Sequence, residues 1–346
     1  MPSEKQAQER WENAEAILKH LRRVGACSRR ELCDSLSLSW GCISELASML
    51  LNKGVLLEEA GDPSGKGRIP TVLRLNPQLC FLGVDINRMG LKACVCSLSG
   101  ERLYACGGML RSDSRQAFVE SVKTFVQPIL ERFPDLMGIG FAMQGILDRK
   151  RTVWQFPGEP PLTIDFVQDF ADCFSVPYLV EHDPDCILYG CLEQTVGQSM
   201  ILRLDKGIGA AILRDGAFWK QDPLEIGYWK VNDRGELLQD VVSLQRVREL
   251  EAGAASGELR RYLEQARGYL GVTLGNLCNL LNLHGIYLCG DLISYYSAFS
   301  ETMLDRYRST VLPGQEASIQ TVCVTDAAYG AAKIAIGRFD QTVLRR

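Results

Sequence analysis

Apolar positions recur at helical spacing near the start of the chain. Ala14, Ile17, Leu18 and Leu21 mark one stripe, and Ile43, Leu46, Ala47, Leu50 and Leu51 mark another at i, i+3, i+4 and i+7. Between the stripes, Ser28 with Glu31 three residues later makes a capping box, so a short helix starts there and runs to about Leu36. Ser39 caps the next helix, Leu38 staples onto Ile43, and Asn52-Lys53-Gly54 supplies a left-handed stop. Extended runs follow at Val55–Glu58 and Thr71–Leu75, joined by a loop rich in Gly, Lys and Arg. Two helices on a tight turn, followed by such a hairpin, predict an N-terminal winged helix-turn-helix over residues 1–77, bounded by Asn76-Pro77.

Beyond residue 77 the pattern changes to apolar strands. Residues 81–86, 91–98 and 102–110 read as three strands, 114–133 as a helix and 137–143 as a strand, then a helix near 163–174 and a strand at 178–181. The theme repeats. Strands at 199–204 and 209–214 lead through Asp215-Gly216 into a third, followed by a helix at 258–282 and a strand at 285–289. A helix after Ser294, a strand near 319–324 and a closing helix at 327–337 complete it. Two halves of this kind predict two α/β lobes, 78–197 and 198–346, facing a cleft, with oligomerisation helices in the second.

Composition narrows the class. Of 346 residues, 46% are apolar, enough for a large core. The net charge of −4 argues against a general polyanion binder. Residues 1–80 carry 11 Lys/Arg against 10 Asp/Glu, and the rest carry 27 against 32, so the head is the less acidic part. The 13 cysteines show no C-x-x-C pair, which points to free thiols in a reducing compartment. The polar N-terminus is no signal peptide, and no apolar run reaches membrane length. A cytoplasmic protein with no membrane partner is expected.

Several segments, in order, resemble the ROK family (repressor, open reading frame, kinase), and in particular its transcriptional regulators, the group that includes xylose and N-acetylglucosamine repressors. Gly67-Arg68-Ile69-Pro70 is similar to the regulators' G-R-x-P, and Leu82-Gly83-Val84-Asp85-Ile86 fits their entry to the first lobe. Residues 138–148, G-I-G-F-A-M-Q-G-I-L-D, resemble the family's G-I-G-x-A-x-x-G-x-x-D segment. Glu181-His182-Asp183 stands where the family has E-N-D. Gly207-Ile208-Gly209-Ala210-Ala211 with Asp215-Gly216 resembles the second-lobe turn, and Glu225-Ile226-Gly227-Tyr228 resembles E-x-G-H. Leu288-Cys289-Gly290 and residues 328–332 complete the series. The resemblance implies an actin-like, two-lobe ATPase fold with a sugar in the cleft. Kinase members phosphorylate that sugar; regulator members release DNA when it binds.

The departures from the family pattern carry as much information. The first phosphate turn, D-x-G-x-T in the kinases, is here Asp85-Ile86-Asn87-Arg88-Met89, and the second, G-T-G, is Asp205-Lys206-Gly207. Side chains stand where phosphate needs glycine, so the ATP site reads as lost and no cofactor is expected. The family's zinc histidine is replaced by Tyr228, and no cysteine lies between Cys191 and Cys278, so no metal is expected. The expected ligand-binding residues are His182, Asp183, Glu225 and Tyr228, with the two carboxylates accepting from hydroxyls.

The resulting expectation is a sequence-specific DNA-binding regulator, a repressor without kinase activity, responding to a sugar or sugar-derived effector. As a homodimer or tetramer it would read a palindromic operator in double-stranded DNA. Expected DNA contacts are Arg29 and Arg30 to phosphate, Ser39, Trp40, Ser44 and Ser48 on the recognition helix, and Lys66 and Arg68 on the wing. Arg22 and Arg23 are either further phosphate contacts or a solvated face. Two alternatives stand beside this one: a sugar kinase with Asp183 as base, and a ligand-independent DNA-binding scaffold.

Overall fold

The structure, a computed structural model, describes residues 4–60, 71–147, 152–154, 161–191, 197–205, 207–214, 217–218, 224–253, 256–296, 301–322 and 326–345. The N-terminal part begins with helix α1 (Glu4–Val24), then strand β1 (Ala26–Ser28), α2 (Arg29–Leu36), α3 (Trp40–Asn52), β2 (Leu56–Ala60) and β3 (Thr71–Leu75). The local chemistry that predicted these elements is present. Ser28 and Glu31 exchange hydrogen bonds, with Ser28 N donating to Glu31 at 2.7 Å. Ser39 Oγ caps α3 by accepting from Cys42 N at 3.3 Å. Between the two helices, Ser37 takes the left-handed conformation at φ 55°. Gly54 does the same at φ +67°; its N–H reaches Leu51 and the next N–H reaches Leu50, a Schellman close. Ile17, Leu18 and Leu21 of α1 and Ile43, Leu46 and Leu50 of α3 are buried. Each such side chain contributes roughly 2 kcal/mol. Strand β3 runs antiparallel between β1 and β2.

The α/β part contains two five-stranded sheets built on one plan. In the first, β4 (Cys80–Asn87) is central. Strands β5 (Gly90–Ser97) and β6 (Arg102–Gly108) extend it on one side, and β7 (Leu136–Met143) and β11 (Tyr178–His182) on the other. Every residue of β4 is buried, which explains its continuous apolar reading. Helix α4 (Arg115–Arg132) follows β6. A small sheet of β8 (Ile146–Leu147), β9 (Thr152–Trp154) and β10 (Leu162–Ile164) comes next, then α5 (Phe166–Asp169); α6 (Asp183–Cys191) follows β11 directly. In the second large sheet β12 (Gln198–Leu204) is central. Strands β13 (Ile208–Arg214) and β14 (Ala217–Phe218) lie on one side, and β15 (Gly285–Cys289) and β16 (Ser318–Thr321) on the other. Helices α7 (Leu238–Val241), α8 (Leu244–Ala252), α9 (Ser256–Leu281), α10 (Glu301–Thr310) and α11 (Ala327–Arg345) complete the chain.

Two expectations change. The helix expected near 163–174 is instead β10 plus the four-residue α5. Its apolar positions serve another purpose: Phe170, Phe174 and Tyr178 gather around Phe141, with ring centroids 5.7–6.3 Å from it. The compact units also do not follow the linear cuts at 77 and 197. One comprises residues 1–141, 170–180 and 331–346, the other 142–169 and 181–330. The closing helix therefore belongs mostly to the first unit, where Phe339 meets Phe81 edge-on at 5.2 Å.

Candidate functional site

The first candidate surface is the outer face of α2 and α3. Burial of Ile43, Leu46, Ala47 and Leu50 turns Trp40, Glu45 and Ser48 outward, and Trp40 is 60% exposed. A large aromatic so exposed on the polar face of a helix is an unusual surface feature. Ser44 is half-buried, and Ser48 donates back to its carbonyl at 2.8 Å. Ser39 is occupied as the helix cap. Arg30 is exposed, whereas Arg29 pairs with Glu58 of β2. Glu45 pairs with Arg10 of α1 at 2.9 Å. Lys66 and Arg68 lie outside the described residues. Arg22 is no phosphate contact: its guanidinium is turned inward onto Asp340, and only Arg23 of that pair is exposed.

The second candidate site is a cluster of charged groups within the second unit. β11 delivers His182 and α6 opens with Asp183; both are buried. Pro184 at the start of α6 suits a position whose N–H has no helical partner. Arg203, from the central strand β12, binds Asp183 through one terminal nitrogen and Asp205 through Nε at 2.6 Å. The other oxygen of Asp205 accepts from the Asp291 backbone N–H at 2.7 Å. His182 Nε2 is 3.6 Å from Asp183 Oδ1.

Glu225, exposed, is positioned by the bridge between Leu224 and Ala210 of β13 and precedes a 3-10 turn, Ile226–Tyr228. Desolvation, and then the charge of Asp183, pushes the Glu225 carboxyl above its ordinary range. Burial holds the His182 imidazole below its ordinary value; Asp183 opposes this and Arg203 reinforces it, so the neutral ring is favoured. Tyr228 lies one turn beyond Glu225 and is 51% exposed. The structure thus brings His182, Asp183 and Glu225 into one electrostatic group, and Tyr228 ends the turn that follows Glu225.

Arg203 was not among the candidates from sequence, although a signal existed. A lone arginine in the apolar run S-M-I-L-R-L, followed by Asp205, needs a buried partner.

Among the described residues no group of three or more His, Cys, Asp or Glu could hold a metal ion. Asp205 places a carboxylate against the Asp291 N–H. The β4–β5 turn is closed on itself: Asn87 donates to Asp85 at 2.7 Å and accepts from Met89 N at 2.8 Å. No helix among the described residues is long and apolar enough to cross a membrane.

Comparison with known proteins places this geometry. Residues 81–237 match the model described as ROK family. The chain is 21% identical over 339 residues to the xylose repressor of Bacillus spizizenii, covering 87% of this chain and 88% of that protein. It is 20% identical over 237 residues to the DNA-binding transcriptional dual regulator NagC of Escherichia coli K12, covering 65% and 58%. A crystal structure of a ROK family transcriptional regulator, homolog of the E. coli MLC protein, superposes with a TM-score of 0.76 at 17% identity over 92% of this chain and 93% of that one. The ROK hexokinase from Thermus thermophilus superposes with a TM-score of 0.63 at 18% identity over 76% and 99%, which leaves part of this chain without a counterpart. Residues 81–237 thus resemble the ROK family, and the chain has the fold of the ROK transcriptional regulator and the ROK hexokinase it superposes on.

Proposed function

We propose that this protein is a sequence-specific DNA-binding transcriptional repressor, acting as a homodimer or tetramer and responding to a sugar or sugar derivative, without kinase activity. The observation that carries this reading is the outward face of α3, where Trp40 and Ser48 stand exposed on a capped helix whose apolar side is already buried. Two such helices in a dimer would meet successive major grooves of a palindromic site. Arg30 supplies a phosphate contact, and Lys66 and Arg68, between β2 and β3 in the sequence, supply more. The relatives named as a repressor and a DNA-binding transcriptional dual regulator support the same reading.

In the body, Asp183 and Glu225 accept hydrogen bonds from ligand hydroxyls, with His182 and Tyr228 at their sides. Arg203 argues against phosphoryl transfer. A general base must be free to take the proton of the attacking hydroxyl, and here Asp183 is already engaged by a guanidinium. An effector releases DNA only if it binds more tightly to the form that does not hold DNA.

Selection of genomic fragments by the full-length protein, followed by footprinting, tests the reading. One or a few palindromic sites are expected, with Trp40→Ala weakening them by about 1–3 kcal/mol. Retention of no duplex above background would end it. The kinase alternative retains one supporting observation, Asp183 at the head of α6 on a fold shared with a hexokinase. ATP turnover on a panel of hexoses and amino sugars, abolished by Asp183→Asn, would establish that alternative.

A further inference from the structure

Arg22 is a basic residue in the last turn of the N-terminal helix, facing away from solvent. Its guanidinium makes a two-pronged contact with Asp340 of α11: NH1 to Oδ2 at 2.7 Å and NH2 to Oδ1 at 2.8 Å. Nε donates to the Leu98 carbonyl at 3.1 Å. The side chains are 12% and 4% exposed. One residue of the head thus grips two separate pieces of the first unit, the closing helix and the loop after β5. A planar fork in a fixed orientation specifies geometry as well as charge. Phe339, next to Asp340, is itself fixed against Phe81, so the partner cannot swing to follow a displaced arginine.

Helix α11 also has another end. Its first turn lies in the second unit, where a side chain on Gly330 would collide with the Cys186 carbonyl of α6. Helix α6 begins with Asp183. A single continuous helix therefore touches the element that carries the proposed ligand carboxylate and, further along, the residue that holds the head.

We propose that the Arg22–Asp340 fork is a latch that sets the pose of the DNA-reading head on helix α11, Arg22 acting as a positioning residue and not as a phosphate contact. The inference rests on the repressor reading for its consequence, and on the buried geometry alone for its existence.

The test uses the full-length chain and the genomic duplex it selects, with Arg22→Gln, Asp340→Asn and the double variant. Each single variant is expected to weaken binding by about tenfold. The double variant should be no weaker than either single one, and the dependence on salt should keep its slope. Asp340→Asn is the decisive arm, because removing a negative charge near DNA would by itself tighten binding. Binding by Asp340→Asn at or above wild-type strength overturns the latch. So does a loss of about one phosphate's worth of salt slope, roughly 0.9, in Arg22→Gln. If the wild type selects no duplex, the repressor reading fails by itself, and amide exchange decides the latch. Faster exchange in α1–α3 of both variants, with β4 and β5 unchanged, supports it; unchanged exchange sinks it. Arg22→Lys, which keeps the charge but loses the fork, should behave like Arg22→Gln.

Discussion

Arg203 has carboxylates on two sides, and its loss is expected to show in stability before it shows in any binding assay. Asp183 is buried, so Arg203→Met would leave an uncompensated charge, at a cost of about 3 kcal/mol. The double variant Arg203→Met with Asp183→Asn should recover most of the loss; no recovery would mean that Arg203 acts through Asp205 instead. Asp185, one residue beyond Pro184, behaves differently. Burial, then Glu181 and Asp183, pushes its carboxyl well above the ordinary range. The folded chain thus keeps a proton that the unfolded chain gives up, and stability is lost as pH rises through that raised value. Asp185→Asn should stabilise more at about pH 8 than at about pH 4 in chemical denaturation. The sequence pointed to Asp183 and Glu225 because Glu181-His182-Asp183 and Glu225-Ile226-Gly227-Tyr228 resemble the family's E-N-D and E-x-G-H segments. It missed Arg203 because the identity of a strand residue does not reveal which neighbouring strand or helix supplies its partner.

The head was legible as a set of elements because its boundaries are local chemistry. Caps at Ser28 and Ser39, the left-handed Gly54 and a 3.6-residue stripe are all read within a few residues. Helices α6, α7 and α8 were not seen. α6 and α8 have nine residues each and α7 four, with their apolar faces defined by the sheet they cover and not by a long internal period. Two glycines separate local from tertiary causes. A methyl on Gly54 meets nothing within 4 Å, so Gly54→Ala should cost only the left-handed backbone term, about 1–2 kcal/mol. Gly330→Ala would drive the same methyl into the α6 backbone, and should lower the melting temperature far more. Equal losses at the two sites in thermal unfolding would contradict this distinction.

At the scale of the whole molecule, the chain is interleaved. It leaves the first unit after residue 141, returns for 170–180, leaves again, and comes back for α11. The repeat of two β-β-β halves was legible because each half is contiguous in its strands. The return of α11 was not, because nothing in a closing amphipathic helix says which of two apolar faces it will cover. Interleaving has a consequence for truncation. Deleting residues 331–346 removes Phe339 from Phe81 and Asp340 from Arg22, and uncovers apolar residues of the first unit, although the deletion lies at the far end of the sequence from the head. The truncated chain is therefore expected to lose cooperative unfolding of residues 4–141 while β12, β13 and β15 keep their amide protection. Exchange measured by mass spectrometry would show it. A truncated protein whose N-terminal helices stay protected would place α11 outside the first core and remove the basis for coupling the head to it.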